Sequence, residues 1–315
     1  MSGWVKLVGV TIRCEVGLPL DSRPRAELNN RKLRANSFQS TLGHVIVFAT
    51  KREAAVATYL VTGATGGIGR AVSDRLAKLG HRLVLAARNT SNLSTLERQL
   101  VGEPSAPHVV LELDMASISS IRAFAIRMAD LLIDLDGAII MPPQPHRAGE
   151  PMPEPEVWRT LFEESFIGPL ETLKVAIGRM KPDPAKGRRC KIVIVSGISS
   201  AQVLSHYATA NVIRTAWLGE AKTLAFALGP RGIHVNTLSL GGTLSPWYRD
   251  SIASRAANAG VNFEEMLVRE TENVPLKKYA EPTEVAAAIE GLLSPFSDHM
   301  TGLNILHDGG FTRAY

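Results

Sequence analysis

The chain has 315 residues, 45% of them hydrophobic, and a formal net charge of +5, which suits one α/β domain of about 250 residues with a short extension. No uncharged apolar run reaches about 18 residues, so no membrane-spanning helix is expected. The basic balance is local: residues 1–52 hold nine Lys/Arg against three acids, a net +6, and the remainder holds 26 against 27, a net −1, which gives no reason to expect a nucleic-acid partner.

Residues 1–54 read as a basic extension with two strand-like pieces, Trp4–Ile12 and Gly43–Phe48, and no helical period. It is Arg-rich and acid-poor like a targeting presequence, but its amphipathic character is weak. The expectation is an extension outside the functional fold, either disordered or an artefact of where the chain is taken to start. Cys14 and Cys190 lie far apart and form no metal-binding spacing, so reduced thiols in a cytoplasmic protein are the default.

From residue 55 strands and helices alternate. Ala57–Val61 reads as a strand, then a glycine-rich turn and the helix Ile68–Leu79, stopped by Gly80. Strand Arg82–Ala87, helix Leu93–Leu100, strand Val109–Leu113, helix Ile118–Leu132 and strand Gly137–Met141 follow. A loop holding Pro142, Pro143, Pro145, Pro151, Pro153 and Pro155 leads to a long helix, Val157–Met180. After it come strand Lys191–Val195, helix Tyr207–Leu228, strand Ile233–Leu238, an irregular loop to about Thr271, helix Thr283–Leu293 and strand Leu303–Leu306. Continuous apolar strands alternating with amphipathic helices predict a single doubly wound α/β domain over 55–315, with a parallel sheet of about seven strands. Such sheets bind ligands beyond the carboxyl ends of their strands.

Thr62-Gly63-Ala64-Thr65-Gly66-Gly67-Ile68-Gly69 joins the first strand to the first helix. Gly63 allows the tight turn, Gly67 a close approach of backbone to a diphosphate, and Gly69 the packing of helix on strand; Thr65 and Ile68 complete the cradle at the helix N-terminus. A carboxylate at the end of the second strand would accept adenosine ribose hydroxyls. Arg88 and Asn89 stand there instead, and a guanidinium pairs with a 2′-phosphate, so NADP(H) is expected over NAD(H). Asp114 and Met115, ending the third strand, are placed to touch the adenine, and Gly241 and Thr243 border the cofactor after the sixth.

These landmarks, with Tyr207 opening a long helix, Gly232-Ile233-His234-Val235-Asn236, Glu281-Pro282, Glu284-Val285-Ala286, Thr301-Gly302 and Asp308-Gly309-Gly310, resemble the short-chain dehydrogenase/reductase family over residues 55–315. The resemblance implies a Rossmann-type fold, hydride transfer, and a homodimer or homotetramer packed through the two long central helices. It also implies a Tyr as proton donor, a Ser polarising the substrate oxygen, and a Lys four residues after the Tyr. Here that stretch is Tyr207-Ala208-Thr209-Ala210-Asn211. Asn211 shares a helix face with Tyr207 and can bond a ribose hydroxyl, but it carries no charge. A cation about 5 Å from a phenol contributes roughly 3 kcal/mol at an effective dielectric near 20, or about two pKa units. Arg214 is roughly 10 Å along the helix axis from Tyr207, which reads as too far to replace it, and His206 is expected to point elsewhere.

Other departures accompany this one. The family's relay-water Asn aligns with Ser165, its Asn-Asn-Ala-Gly with Ile140-Met141-Pro142-Pro143, its Pro-Gly with Leu240-Gly241, and its catalytic Ser with Gly197. Ser199 or Ser196 could stand in for that Ser, Ser199 ranking ahead because it lies past the strand end. Gly242–Tyr248, with Phe263 and Met266 behind it, and Met141, Val203 and Leu204 form an apolar wall suited to an uncharged ketone or secondary alcohol. The leading expectation is an NADP(H)-dependent oxidoreductase with Tyr207 as proton donor. The competing readings are a catalytically weak NADP(H)-binding sensor or scaffold, and a non-redox lyase or isomerase.

Overall fold

The computed structural model describes residues 2–7, 10–15, 56–102, 106–145 and 148–313, and the chain divides into two compact units, Met1–Ala55 and Val56–Tyr315. In the first, β1 (Ser2–Leu7) and β2 (Val10–Glu15) pair antiparallel, Ser2 opposite Glu15. The expected single strand Trp4–Ile12 is therefore two strands. The piece Gly43–Phe48 lies outside the described residues.

The second unit is built on a seven-stranded, wholly parallel sheet. Its strands are β3 (Thr58–Thr62), β4 (Arg82–Ala87), β5 (Val109–Glu112), β6 (Gly137–Ile140), β7 (Cys190–Gly197), β8 (Ile233–Leu240) and β9 (Asn304–His307). Their order is β5-β4-β3-β6-β7-β8-β9. The chain works outward from β3 to β5, then returns to β6 on the other side, so the order reverses between β3 and β6; the loops there splay apart and open a crevice at the carboxyl ends.

Side chains alternate between two cores, as a period of two demands of a strand buried on both faces. Leu60, Val84, Ile192 and Ile194 face α3 (Ile118–Asp130), α5 (Gly168–Gly178) and α6 (Ala208–Leu228), meeting Phe124, Met128, Leu173 and Trp217. Val61, Leu83, Leu85 and Val193 face α1 (Gly67–Lys78), α2 (Thr90–Gln99) and α9 (Pro282–Leu293), meeting Val72, Leu76, Leu93 and Ile289. Each such buried aliphatic side chain contributes about 1.5–3 kcal/mol over an exposed one.

Two expectations need correction. The helix expected over Val157–Met180 is α4 (Pro155–Phe162), a π turn (Glu163–Ile167) and α5. The π turn lets Gly168 meet the Met115 carbonyl, which a Cβ at Gly168 would strike. The loop expected to stay irregular to Thr271 holds α7 (Pro246–Asn258) and α8 (Phe263–Glu270). Neither has a broad apolar stripe: α7 buries Ile252 and Ala256, and α8 buries no residue. Their start signals were present, however. Ser245 caps α7 ahead of Pro246, and Asn262 with Glu265 forms a capping box on α8.

Candidate active site

The glycine turn is tight because its backbone closes on itself. Gly63 has φ +60°, the left-handed region that glycine enters without strain, and its carbonyl accepts from the Gly66 amide at 3.0 Å. A Cβ on Gly69 would collide with the same carbonyl. The Ala64 amide is tied to the Ala86 carbonyl at 3.2 Å, which fixes the turn against the end of β4. Helix α1 starts beyond Gly66 with no side-chain cap and no acid in its first turn. Its leading amides have no capping side chain, and the helix dipole favours an anion as their acceptor. A helix start of this kind, reached through a glycine turn, is a place where a diphosphate can bind.

One part differs from the sequence reading. The room left by Gly67 is taken by Ser245 and Pro246, whose Cβ and Cδ lie 3.0 and 2.6 Å from where a Gly67 Cβ would stand. Thr243, expected to border the cofactor, is buried, and its hydroxyl donates back to the Gly241 carbonyl at 3.4 Å. Ser245 is the residue of that loop facing the turn; a serine before proline at a helix start was the signal for it.

At the end of β4, Arg88 is exposed beside the turn, while Asn89 caps α2 by accepting from the Asn92 amide at 2.9 Å. Asp114 accepts from the Ala116 amide at 3.0 Å, and Met115 is buried beneath Gly168. Thr62 links the ends of β3 and β6: its hydroxyl donates to the Ile139 carbonyl at 3.3 Å and accepts from the Met141 amide at 2.8 Å.

The chemical groups converge past β7. Tyr207 ends a 3-10 turn (Ser205–Tyr207) and is the residue before α6. The Arg214 guanidinium carbon stands 5.1 Å from the centre of the Tyr207 ring. Arg214 Nη1 donates to Ser199 Oγ at 3.0 Å and Nη2 to Gln144 Oε1 at 2.7 Å. Arg214 reaches the Tyr207 ring, closer than the count of helical rise suggests: an arginine side chain leans back over the preceding turn of its helix, and Tyr207 sits outside the helix where that side chain ends. Burial lowers the Arg214 pKa from its ordinary value, a pull that neighbouring Tyr207 opposes.

Of the two serines, Ser199 is on this cluster, whereas the Ser196 hydroxyl is buried without a partner. Gly197 makes room for the guanidinium, since a Cβ there would stand 2.6 Å from Arg214 Cζ and Nη1. Asn211, expected to orient a ribose, is engaged locally: Oδ1 accepts from the Leu204 amide at 3.3 Å and Nδ2 donates to the Leu204 carbonyl at 3.1 Å. It shapes the loop before Tyr207. His206 packs against Tyr207, ring centres 4.6 Å apart, rather than pointing away. Gln144 and Arg214 are the site residues that sequence reasoning missed, and no local pattern marks Gln144.

Ser165, at the relay-water position, is buried in the π turn, and its carbonyl accepts from Trp217 Nε1 at 2.9 Å. Helices α7 and α8 are braced by Arg255 on Glu270 at 2.6 Å and by Tyr248 edge-on to Tyr279 at 5.7 Å. Phe263 and Met266 are half-buried on α8, while Val203 is 80% exposed and forms no closed wall. A groove of about 440 Å³ lies between Arg70, Pro246, Arg249 and Pro282, and it does not include Tyr207 or Ser199. Among the described residues no His, Cys, Asp or Glu cluster could hold a metal ion, and no helix is long and apolar enough to cross a membrane.

The family model for enoyl-(acyl carrier protein) reductase matches residues 63–312. D-erythrulose reductase from Gallus gallus is 30% identical over 254 residues, covering 80% of this chain and 94% of that protein. L-sorbose reductase from Gluconobacter frateurii, solved with NADPH and L-sorbose, superposes with a TM-score of 0.74 at 22% identity, over 82% of this chain and 98% of that one. A short-chain oxidoreductase from Pseudomonas aeruginosa PAO1, NADPH-bound and described as containing an atypical catalytic centre, superposes at 0.69 with 24% identity over the same shares.

Proposed function

This chain belongs to the short-chain dehydrogenase/reductase family, and from that premise we propose that it is an NADP(H)-dependent oxidoreductase. Its substrate is a small to medium, mostly apolar ketone, or the matching secondary alcohol. The carrying observation is the convergence of Tyr207, Ser199 and Arg214 beyond the carboxyl end of β7, at the same end of the parallel sheet as the uncapped start of α1. The names of the similar proteins, which reduce D-erythrulose and L-sorbose, support carbonyl chemistry.

When bound, NADPH would supply the hydride in reduction, and NADP+ would accept it in oxidation. Gly63, Thr65, Ile68 and Gly69 would hold its diphosphate, with Ser245 and Pro246 lying against Gly67, Arg88 would hold its 2′-phosphate, and Asp114 and Met115 its adenine. Tyr207 Oη gives a proton to the substrate oxygen in reduction and takes one in oxidation. Ser199 donates a hydrogen bond to that oxygen and stabilises its developing charge. Helices α7 and α8 would act as a lid, carrying Phe263 and Met266 over the substrate and keeping water out. A cytoplasmic homodimer or homotetramer is the expected assembly.

The test is a fluorescence titration with NADPH and NADH, followed by turnover across ketones and secondary alcohols. NADPH binds more tightly, and Arg88→Ala narrows the preference by about 10-fold or more, the scale of one charge-assisted phosphate contact. Tyr207→Phe lowers turnover by about 10²–10⁴-fold. NADPH binding with no turnover anywhere in the panel would replace this reading with the sensor or scaffold.

A further inference from the structure

We propose that Arg214 is the positioning residue of this site: seated over Gly197, its guanidinium selects Ser199 as the polarising hydroxyl and holds Tyr207 beside it. The inference rests on the oxidoreductase reading above and deepens it.

A guanidinium has donors and no acceptor, so in the 3.0 Å contact Ser199 Oγ must accept. The single Ser199 O–H is then left to donate elsewhere, and a hydroxyl whose lone pair is engaged by a cation is a stronger donor. Ser196 has no such director; its Oγ is buried and unpartnered. The same guanidinium stands over the Tyr207 ring at 5.1 Å and is braced from the proline loop by Gln144 at 2.7 Å. Its described partners are all neutral, so its charge is spent on this cluster. Arginine stays protonated at any working pH, which makes the clamp permanent.

Position 197 explains how the arginine came to fit. A side chain at Gly197 would begin 2.6 Å from the guanidinium, so a residue with a Cβ at 197 and Arg214 in this pose exclude one another. The serine that family members carry at this place and the cation they carry at 211 are both absent here. One guanidinium, three residues beyond Asn211 and so on the same helix face, answers both losses: it brings charge to Tyr207 and recruits Ser199 from two residues past Gly197.

Two measurements decide this. In thermal unfolding of the full chain without cofactor, Gly197→Ser lowers the midpoint, and adding Arg214→Ala removes most of that loss; additive losses overturn the seating of the guanidinium. In steady-state kinetics, Arg214→Ala lowers kcat by about 10²-fold with KM within a few-fold, the scale of a misplaced catalytic group. Arg214→Lys recovers part of the loss, and guanidinium chloride, against potassium chloride, restores turnover to Arg214→Ala. Ser199→Ala falls with Arg214→Ala, and the double variant is no worse than either alone. An Arg214→Ala enzyme within twofold of the parent, or a loss on Ser196→Ala in place of Ser199→Ala, overturns the proposal. Failure of the parent chain to bind NADPH or to turn over any carbonyl sinks the oxidoreductase reading instead. The thermal cycle then decides the clamp alone.

Discussion

At the scale of single residues, what the sequence makes legible is whatever the local backbone alone requires. Gly63 and Gly69 could be assigned to the turn because each answers a demand within eight residues: a positive φ of +60° at one and a collision with the Gly63 carbonyl at the other. Gly69→Ala therefore forces the turn open. It should cost about 1–3 kcal/mol in urea unfolding, as overpacking does, and abolish NADPH binding in the fluorescence titration. An alanine variant with parental stability and affinity would remove the turn from the site. Arg214 was not legible for the opposite reason. Counting helical rise gives the separation of Cα atoms, but a long side chain leaning toward the N-terminus covers most of that gap. Its seat also depends on Gly197, 17 residues earlier, where the absence of a side chain is the informative feature.

At the scale of elements, strands and long helices were readable because burial on one face or two leaves a period in the sequence. Helices α7 and α8 were missed because they bury little of themselves and leave no apolar period, so only their caps announced them. The π turn was missed because nothing in Glu163–Ile167 breaks a helical pattern, and the close approach of Gly168 to Met115 that accompanies it is a long-range contact. A π turn displaces a backbone carbonyl from its helical partner, and here Trp217 Nε1 takes up the Ser165 carbonyl at 2.9 Å. Trp217 is buried and lies edge-on to Phe166 at 5.0 Å. Trp217→Phe keeps an aromatic ring but removes this buried hydrogen bond, which costs about 1–3 kcal/mol. The loss should appear as a lower urea midpoint. An unchanged midpoint would mean that the hydrogen bond adds nothing net.

At the scale of the whole domain, the two ends of the sheet divide the work. The carboxyl end carries the turn and the Tyr207 cluster. The amino end is sewn by side chains that complete the backbone pairing where strands begin. Asp136 accepts from the Thr58 amide at 2.9 Å and pairs with Arg188 at 2.9 Å, and buried Lys191 pairs with Asp298 at 2.7 Å. His81 Nδ1 accepts from the Ala57 amide at 3.3 Å, and His108 Nδ1 from the Leu83 amide at 3.2 Å. Both bonds need a neutral ring with its proton on Nε2. Burial lowers both histidine pKa values from 6.5, against opposing pulls from Glu290 and Asp136 on His81 and from Glu97 on His108. The unfolded chain thus binds protons that the fold refuses. Stability is fully present above about pH 6.5 and falls as pH drops through that value toward the lowered native ones. Urea midpoints measured from pH 8 to pH 5 should decline below pH 6.5. In His81→Gln and His108→Gln, where an uncharged amide oxygen can accept the same N–H, the decline should be shallower. Equal slopes in parent and variants would place the acid sensitivity elsewhere. Because these groups sit at the opposite end of the strands from Tyr207, NADPH affinity at pH 7.5 should be the same in parent and variants.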